Sequence, residues 1–334
     1  MSNTEFPTGK PPFPFSECVF HGFTANKNHW GDLLRAIGIP FGSFIFVTGF
    51  LTTYLMLQAL PQFTGLSTLG PDPDASELFG LLGGIVQIIV VYMVFMLFIV
   101  AVWASSMNAA YRWYLYQDLS GQVGALRFGM DELRTFGVLI VYGLLVFVVP
   151  YIVMIVAMIL GAVMVQAGAV GAIFGGLTMF ISVLAMLAAM VYFPVKLSLC
   201  VPLSLERQKF TLFDSFRLTK KRGWALLGSY VIMGLIYFVA IMVLSIIQNV
   251  MFMGSMMPML SDSEMMKGDS TAMLAAMASA FTSPAGMIGM GIVMGLQAII
   301  GVVFLFAYTG LSAFSMRFLQ EEKGDIVANL DVFD

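Results

Sequence analysis

Thr135–Val195, TFGVLIVYGLLVFVVPYIVMIVAMILGAVMVQAGAVGAIFGGLTMFISVLAMLAAMVYFPV, contains no Asp, Glu, Lys or Arg. A membrane-crossing helix needs about 20 predominantly apolar residues. This stretch therefore holds two spans and a tight turn around Gln166–Gly168. The rest of the chain has the same character. Of its 334 residues 59% are hydrophobic and 10% charged, whereas a soluble domain carries about 25% charged residues. Such a chain cannot clothe itself in a wettable surface.

Working outward gives six spans, at about Ile37–Leu60, Leu78–Trp103, Phe136–Val165, Val170–Val195, Trp224–Met251 and Pro284–Leu311. Each is long enough to cross with some tilt. Pro150, midway along the third, predicts a kink, because proline removes a backbone donor and crowds the preceding turn.

Charge fixes the expected orientation. Lys10, Lys27 and Arg35 precede span one; Arg112, Arg127 and Arg134 lie between spans two and three. Lys196, Arg207, Lys209, Arg217, Lys220, Lys221 and Arg222 lie between spans four and five, and Arg317 and Lys323 follow span six. Of the sixteen Lys and Arg residues only Lys267 falls on the other side. By the positive-inside rule both termini are expected in the cytoplasm. The two cysteines, Cys18 and Cys200, fall on the reducing side and form no disulfide framework.

The same segments recur. Asp32-Leu33-Leu34-Arg35, Asp131-Glu132-Leu133-Arg134 and Asp214-Ser215-Phe216-Arg217 each precede an odd-numbered span. Each D-x-x-R lies in an amphipathic stretch, the pattern of an interfacial helix. Each even span returns to a basic residue: Arg112, Lys196 or Arg317. The expected fold is an all-α membrane protein of six transmembrane helices. They form three repeated hairpins, over about 26–112, 125–196 and 211–317, each preceded by a cytoplasmic interfacial helix. The three copies share one orientation, unlike inverted transporter repeats. A flexible Pro/Phe-rich arm is expected over residues 1–20, the helical domain over 21–319 and an acidic tail over 320–334. An i,i+3 ion pair is the plainer role for each D-x-x-R; the functional role is binding of headgroups or a partner.

Phe193-Pro-Val-Lys-Leu-Ser-Leu-Cys-Val-Pro-Leu-Ser-Leu-Glu206, followed by Leu212-Phe-Asp-Ser-Phe-Arg-Leu-Thr-Lys-Lys-Arg-Gly-Trp-Ala-Leu-Leu-Gly228, resembles the region before the fifth span of a group of bacterial six-pass proteins. The group includes YciC-like proteins and the membrane domain that precedes some glycerophosphoryl diester phosphodiesterases. Ala125–Phe136 resembles its alphaproteobacterial members. The resemblance implies the six-pass topology and carries no single activity; with the chain ending at Asp334, no attached phosphodiesterase domain is expected.

Chemistry is sparse. The two histidines, His21 and His29, precede span one and, with Cys18, match no zinc spacing. No phosphate-binding loop, nucleophile elbow or H-E-x-x-H is present. Polar residues within the spans are neutral, among them Thr52, Thr53, Gln87, Thr178, Ser182, Ser229, Gln297 and Thr309. Proton-driven carriers place ionisable groups at mid-membrane, and none is expected here. Gln87 and Gln297 suit interhelical hydrogen bonds, and Gly171-x-x-x-Gly175 and Gly291-x-x-x-Gly295 suit close helix approach. The outer loop Phe252–Ser283 carries Met253, Met256, Met257, Met259, Met265, Met266, Met273 and Met277. Thioether sulfur suits Cu(I), and a Met-rich apolar cover over the outer leaflet is the plainer reading.

The expected function is therefore non-enzymatic. The protein would organise anionic lipids, a membrane partner or a second copy of itself through its basic cytoplasmic face, at Arg35, Arg134, Arg217, Lys220, Lys221 and Arg222. No cofactor, catalytic residue, metal site or nucleic acid is expected. The alternative is a transporter or channel for a neutral, lipid-like or copper substrate, with Gln87 or Gln297 lining its path.

Overall fold

The structure, a computed structural model, describes residues 13–67, 75–119, 129–166, 168–220, 222–260 and 283–323. Among them there is no strand, and six helices are long and apolar enough to cross a membrane, over Trp30–Leu55, Leu82–Tyr116, Met130–Val165, Ala169–Glu206, Gly223–Met251 and Gly286–Glu321. In hydrocarbon every backbone N–H and C=O must find a partner within the chain, which favours long uninterrupted helices. In order they are α1 (Phe15–Thr24), α2 (Trp30–Leu33), α3 (Ile39–Ser67), α4 (Ala75–Tyr116), α5 (Met130–Gly143), α6 (Val149–Val165), α7 (Ala169–Leu197), α8 (Cys200–Glu206), α9 (Asp214–Thr219), α10 (Gly223–Leu260) and α11 (Pro284–Lys323).

Two joints are π-helical turns, Leu34–Gly38 between α2 and α3 and Leu144–Val148 between α5 and α6. Each comes just before a proline, at Pro40 and Pro150. The preceding amides reach back five residues, Ile39 N–H to Leu34 O and Val149 N–H to Leu144 O. The wider turn makes room for a ring that would otherwise press on the carbonyl four residues back. The irregularity expected at Pro150 thus takes the form of a π turn, and the helix continues through it.

The interior is concentrated at the basic end. There Val102–Leu115 of α4, Leu305–Gln320 of α11, all of α8 up to Leu205 and the inner faces of α1 and α9 are largely buried. Towards the other end the helices expose large apolar residues, such as Val86 and Val90 on α4, Ile152 and Ile159 on α6, Ile173 and Phe180 on α7, and Leu235 and Val239 on α10. In water that surface would be untenable; in lipid it is the ordinary outer face of a span.

α11 is the hub, packing against α1, α3, α4 and α10. α6 and α7 pack chiefly on each other. Gly161 and Gly175 are why they can. A Cβ on Gly175 would stand 2.6 Å from Gly161 O, and one on Gly161 would stand 3.2 Å from Gly175 O. The backbones touch there. Gly175 therefore does serve close approach, within the chain, and its partner Gly161 lies outside the G-x-x-x-G pattern.

The extended arm expected over residues 1–20 stops short in the structure. Phe13 is buried, its ring edge-on to Phe15 and Phe318, and α1 starts at Phe15 with Cys18, Val19 and Gly22 buried. One apolar face against α11 is enough to order this segment. The first two D-x-x-R segments are not separate interfacial helices. Asp131–Arg134 forms the first turn of α5, and Asp32–Arg35 runs through α2 into the π turn. Only the third lies in a detached helix, α9. At the far end α10 continues to Leu260, past Phe252 where the outer loop was expected to begin. The remainder of that Met-rich segment, residues 261–282, lies outside the described residues, as do residues 1–12 of the arm and 324–334 of the tail.

Candidate functional site

The basic end is built around α1. Gly22 of α1 and Gly310 of α11 meet backbone to backbone, so that a Cβ on either would strike main-chain atoms of the other helix. This crossing brings Asn26, fully buried, into a closed set of hydrogen bonds. Asn26 Nδ2 donates to Gly22 O and faces Tyr114 Oη, both at 2.6 Å; Trp113 Nε1 donates to Asn26 Oδ1 at 2.6 Å; Tyr114 Oη donates to Gly22 O at 2.9 Å. Buried amides are costly unless paired in this way. On the same face Cys18 Sγ lies 3.1 Å from Ser315 Oγ. Burial pushes its thiol pKa up, more than the neighbouring Ser315 and Ser229 hydroxyls lower it. A raised pKa keeps the thiol protonated and unreactive.

The basic residues that end the even spans act as tethers. Arg112 at the end of α4 reaches Asp131 at 2.8 Å and Glu132 at 3.2 Å, both in the first turn of α5. Lys196 at the end of α7 donates to Thr219 O, the last residue of α9, at 3.3 Å. Arg317 near the end of α11 donates to Leu115 O in α4. Two of the three thus hold the segment leading into the next odd span, and the third ties the last span to the second. Glu132 also accepts from Gly129 N at 2.8 Å, capping α5.

The six predicted interface residues divide. Arg134 is half-buried and bonded to Asp131 at 3.0 Å, the i,i+3 pair. Arg35, Arg217 and Lys220 are exposed, and Arg222 is half-buried. Lys221 lies outside the described residues. Among the described residues Asp32 and Arg35 make no ion pair. Asp214 takes Arg207, 3.0 Å away and some two-fifths exposed, a pair of small energetic weight.

His21, His29 and Cys18 do not converge. His21 lies against Phe314, with centroids 4.9 Å apart, and His29 against Trp113 at 5.2 Å. Among the described residues no three His, Cys, Asp or Glu side chains could share a metal ion. Burial, and then the charge of Arg317, lower the pKa of His21 below its usual 6.5. Native His21 thus resists the proton that the unfolded chain accepts. Its contribution to stability is complete above about pH 6.5 and is lost as pH falls from there through the depressed native value. Thermal melts of the detergent-solubilised protein should show that loss, and His21→Phe should flatten it.

Gln87 and Gln297 are exposed and, among the described residues, hydrogen-bond to no other helix. The interhelical bonds they suit are not formed among the described residues. Thr52, Thr53, Thr178 and Ser182 instead donate to the carbonyl four residues back, which satisfies them locally.

What the sequence did not disclose is the seat of α1 and the aromatic rim of α9. Cys18, Gly22 and Asn26 recur every four residues, the signal of one helical face. Around α9, Phe210, Phe213 and Trp224 are exposed, Trp224 by 85%. They stand beside Arg217 and Lys220 in the chain. No family model matches this chain, and neither a curated protein nor a solved structure is significantly similar to it.

Proposed function

We propose that this chain is a non-enzymatic multi-pass protein of the bacterial inner membrane, with both termini in the cytoplasm. On this reading it organises anionic lipids or a partner protein through its basic cytoplasmic face. The supporting observation is the division of that face. Arg112, Arg134 and Lys196 are taken up by ties within the protein, while Arg35 and Lys220 are exposed. Each Lys or Arg beside an anionic surface is worth about 1 kcal/mol.

The spans are read as three hairpins of one orientation, α3–α4, α5/α6–α7 and α10–α11, the members of each in contact and each ending in a tethering base. The copies have diverged: one π turn overlaps the D-x-x-R of the first hairpin, whereas the other lies ten residues beyond Arg134 in the second.

Purification from native membranes, followed by lipid and protein mass spectrometry, tests the function. Phosphatidylglycerol or cardiolipin should be enriched over the bulk membrane, or a stoichiometric partner should be retained. A triple variant, Arg35→Gln, Arg217→Gln and Lys220→Gln, should lose that retention while remaining folded. Co-purified lipid of bulk composition, with no partner, would end the proposal.

A further inference from the structure

We infer that the α9–α10 junction is a binding site for one anionic glycerophospholipid of the cytoplasmic leaflet, with Arg217 and Lys220 taking its phosphate and Phe213 and Trp224 its glycerol and upper acyl region. This deepens the function proposed above and rests on its orientation.

The junction differs from the rest of the basic end in chemistry. Arg35 and Arg134 also have aromatic neighbours in the chain, but Trp30 and Phe136 are half-buried and Phe41 is buried, whereas Phe210, Phe213 and Trp224, which bracket Arg217 and Lys220, are exposed. Phe213 is 71% exposed and Trp224 85%. These are large rings at the mouth of a span, not inside a core. Aromatic rings of this kind partition to the headgroup level of a bilayer, and the two flanking cations supply the charge complementary to phosphate. The cations alone would suit free phosphate equally well. The bare rings beside them favour an amphiphile, which covers both chemistries at once.

The junction is also held in place. Ser215 is buried and donates to Lys196 O at 2.6 Å, and Lys196 donates to Thr219 O at 3.3 Å. Leu212, Leu218 and Thr219 are buried beneath α9. The inner side of this short helix is therefore fixed on the end of α7. Its other side, with Phe213 and Arg217, is the one offered outward. Lys196 is a positioning residue: it sets the last turn of α9, next to Lys220, and its own charge is directed inward.

Trp224 makes the site directly observable. Trp113 is buried and Trp30 and Trp103 are half-buried, so bromine-labelled lipids should quench Trp224 preferentially. The full chain is reconstituted in phosphatidylcholine vesicles doped with brominated phosphatidylglycerol or, separately, with brominated phosphatidylcholine at the same mole fraction. Quenching by the anionic lipid should exceed that by the zwitterionic one several-fold, and Trp224→Phe should abolish the difference. Arg217→Gln with Lys220→Gln should equalise the two lipids while leaving quenching by phosphatidylcholine intact, which shows that Trp224 is still at the interface. Lys196→Met should weaken selectivity, and Lys196→Arg should restore part of it. Millimolar inorganic phosphate should leave the quenching unchanged.

Equal quenching by both lipids in the wild-type protein overturns the site, as does full selectivity in the double variant or displacement by inorganic phosphate. If anionic lipid still co-purifies while Trp224 shows no selectivity, this site fails and the broader function stands. If neither is seen, both fail.

Discussion

Gly310→Val is expected to unseat α1 and open the basic end of the protein. The added Cβ would fall on the backbone of Gly22, and its third neighbour, Tyr114 Cζ, would be only 3.3 Å away. A flexible side chain could swing aside; the main chain of a docked helix cannot, so α1 itself must shift. Three features are lost together. They are the Asn26–Trp113–Tyr114 hydrogen bonds, the Cys18–Ser315 contact and the burial of Phe13 and Val19. Overpacking typically costs roughly 1–3 kcal/mol, and backbone collisions lie at its upper end.

Cys18 reports the event. In the native protein it is fully buried and its thiol pKa is raised, so maleimide labelling should be slow for both reasons. Each 1.4 kcal/mol removed from α1 docking raises the open population about tenfold. In a Cys200→Ser background, Gly310→Val should therefore accelerate labelling of Cys18 by roughly one to two orders of magnitude. Gly31→Ala is the control, since a Cβ there meets nothing within 4 Å. Labelling and melting unchanged in Gly310→Val would show that α1 does not depend on this crossing.

The contrast between spans and cap shows which parts of the fold a sequence can disclose. Spans announce themselves because each residue votes independently: Thr135–Val195 is apolar whatever it packs against, and lipid requires only that. The cap depends on pairs. Arg112 and Asp131 are nineteen positions apart, and nothing local marks them as partners; Asp131 and Arg134 were visible only because one helical turn separates them. Gly22 and Gly310 are nearly the whole chain apart, and a glycine's absent side chain leaves no trace of what comes close to it.

The proline-rich start of the chain suggested an extended arm well past the point where it folds. Three buried positions, Cys18, Val19 and Gly22, outweighed that composition once a partner helix was present. The candidate site shows the same division. Its basic residues were readable from spacing and sidedness. Which of them are bound into the protein was not, because that depends on a neighbour's geometry: the carboxylates facing Arg112, or the Leu115 carbonyl facing Arg317.

Arg112→Met should be among the most destabilising single substitutions at the basic end. Glu132 is nearly sealed, its side chain 5% exposed, and Arg112 at 3.2 Å is its cationic partner. Removing the arginine leaves a buried carboxylate that, among the described residues, faces the Gly129 amide alone, and breaking a buried pair from one side costs about 3–5 kcal/mol. Asp131, 27% exposed and still joined to Arg134, should contribute little to that loss. Arg112→Lys should recover only part of it, because a single ammonium cannot spread across two carboxylates as a guanidinium does. Glu132→Gln added to Arg112→Met should restore much of the stability, since the amide keeps an acceptor for Gly129 N–H without a buried charge. Arg207→Gln is the reference: its pair with Asp214 is about as short but 41% and 46% exposed, and it should move the melting midpoint by no more than about 0–1 kcal/mol allows. Were Arg112→Met and Arg207→Gln equally mild, burial would not be what gives the first pair its strength, and the Arg112 tether would be one more surface contact rather than the joint that fixes α5 against α4.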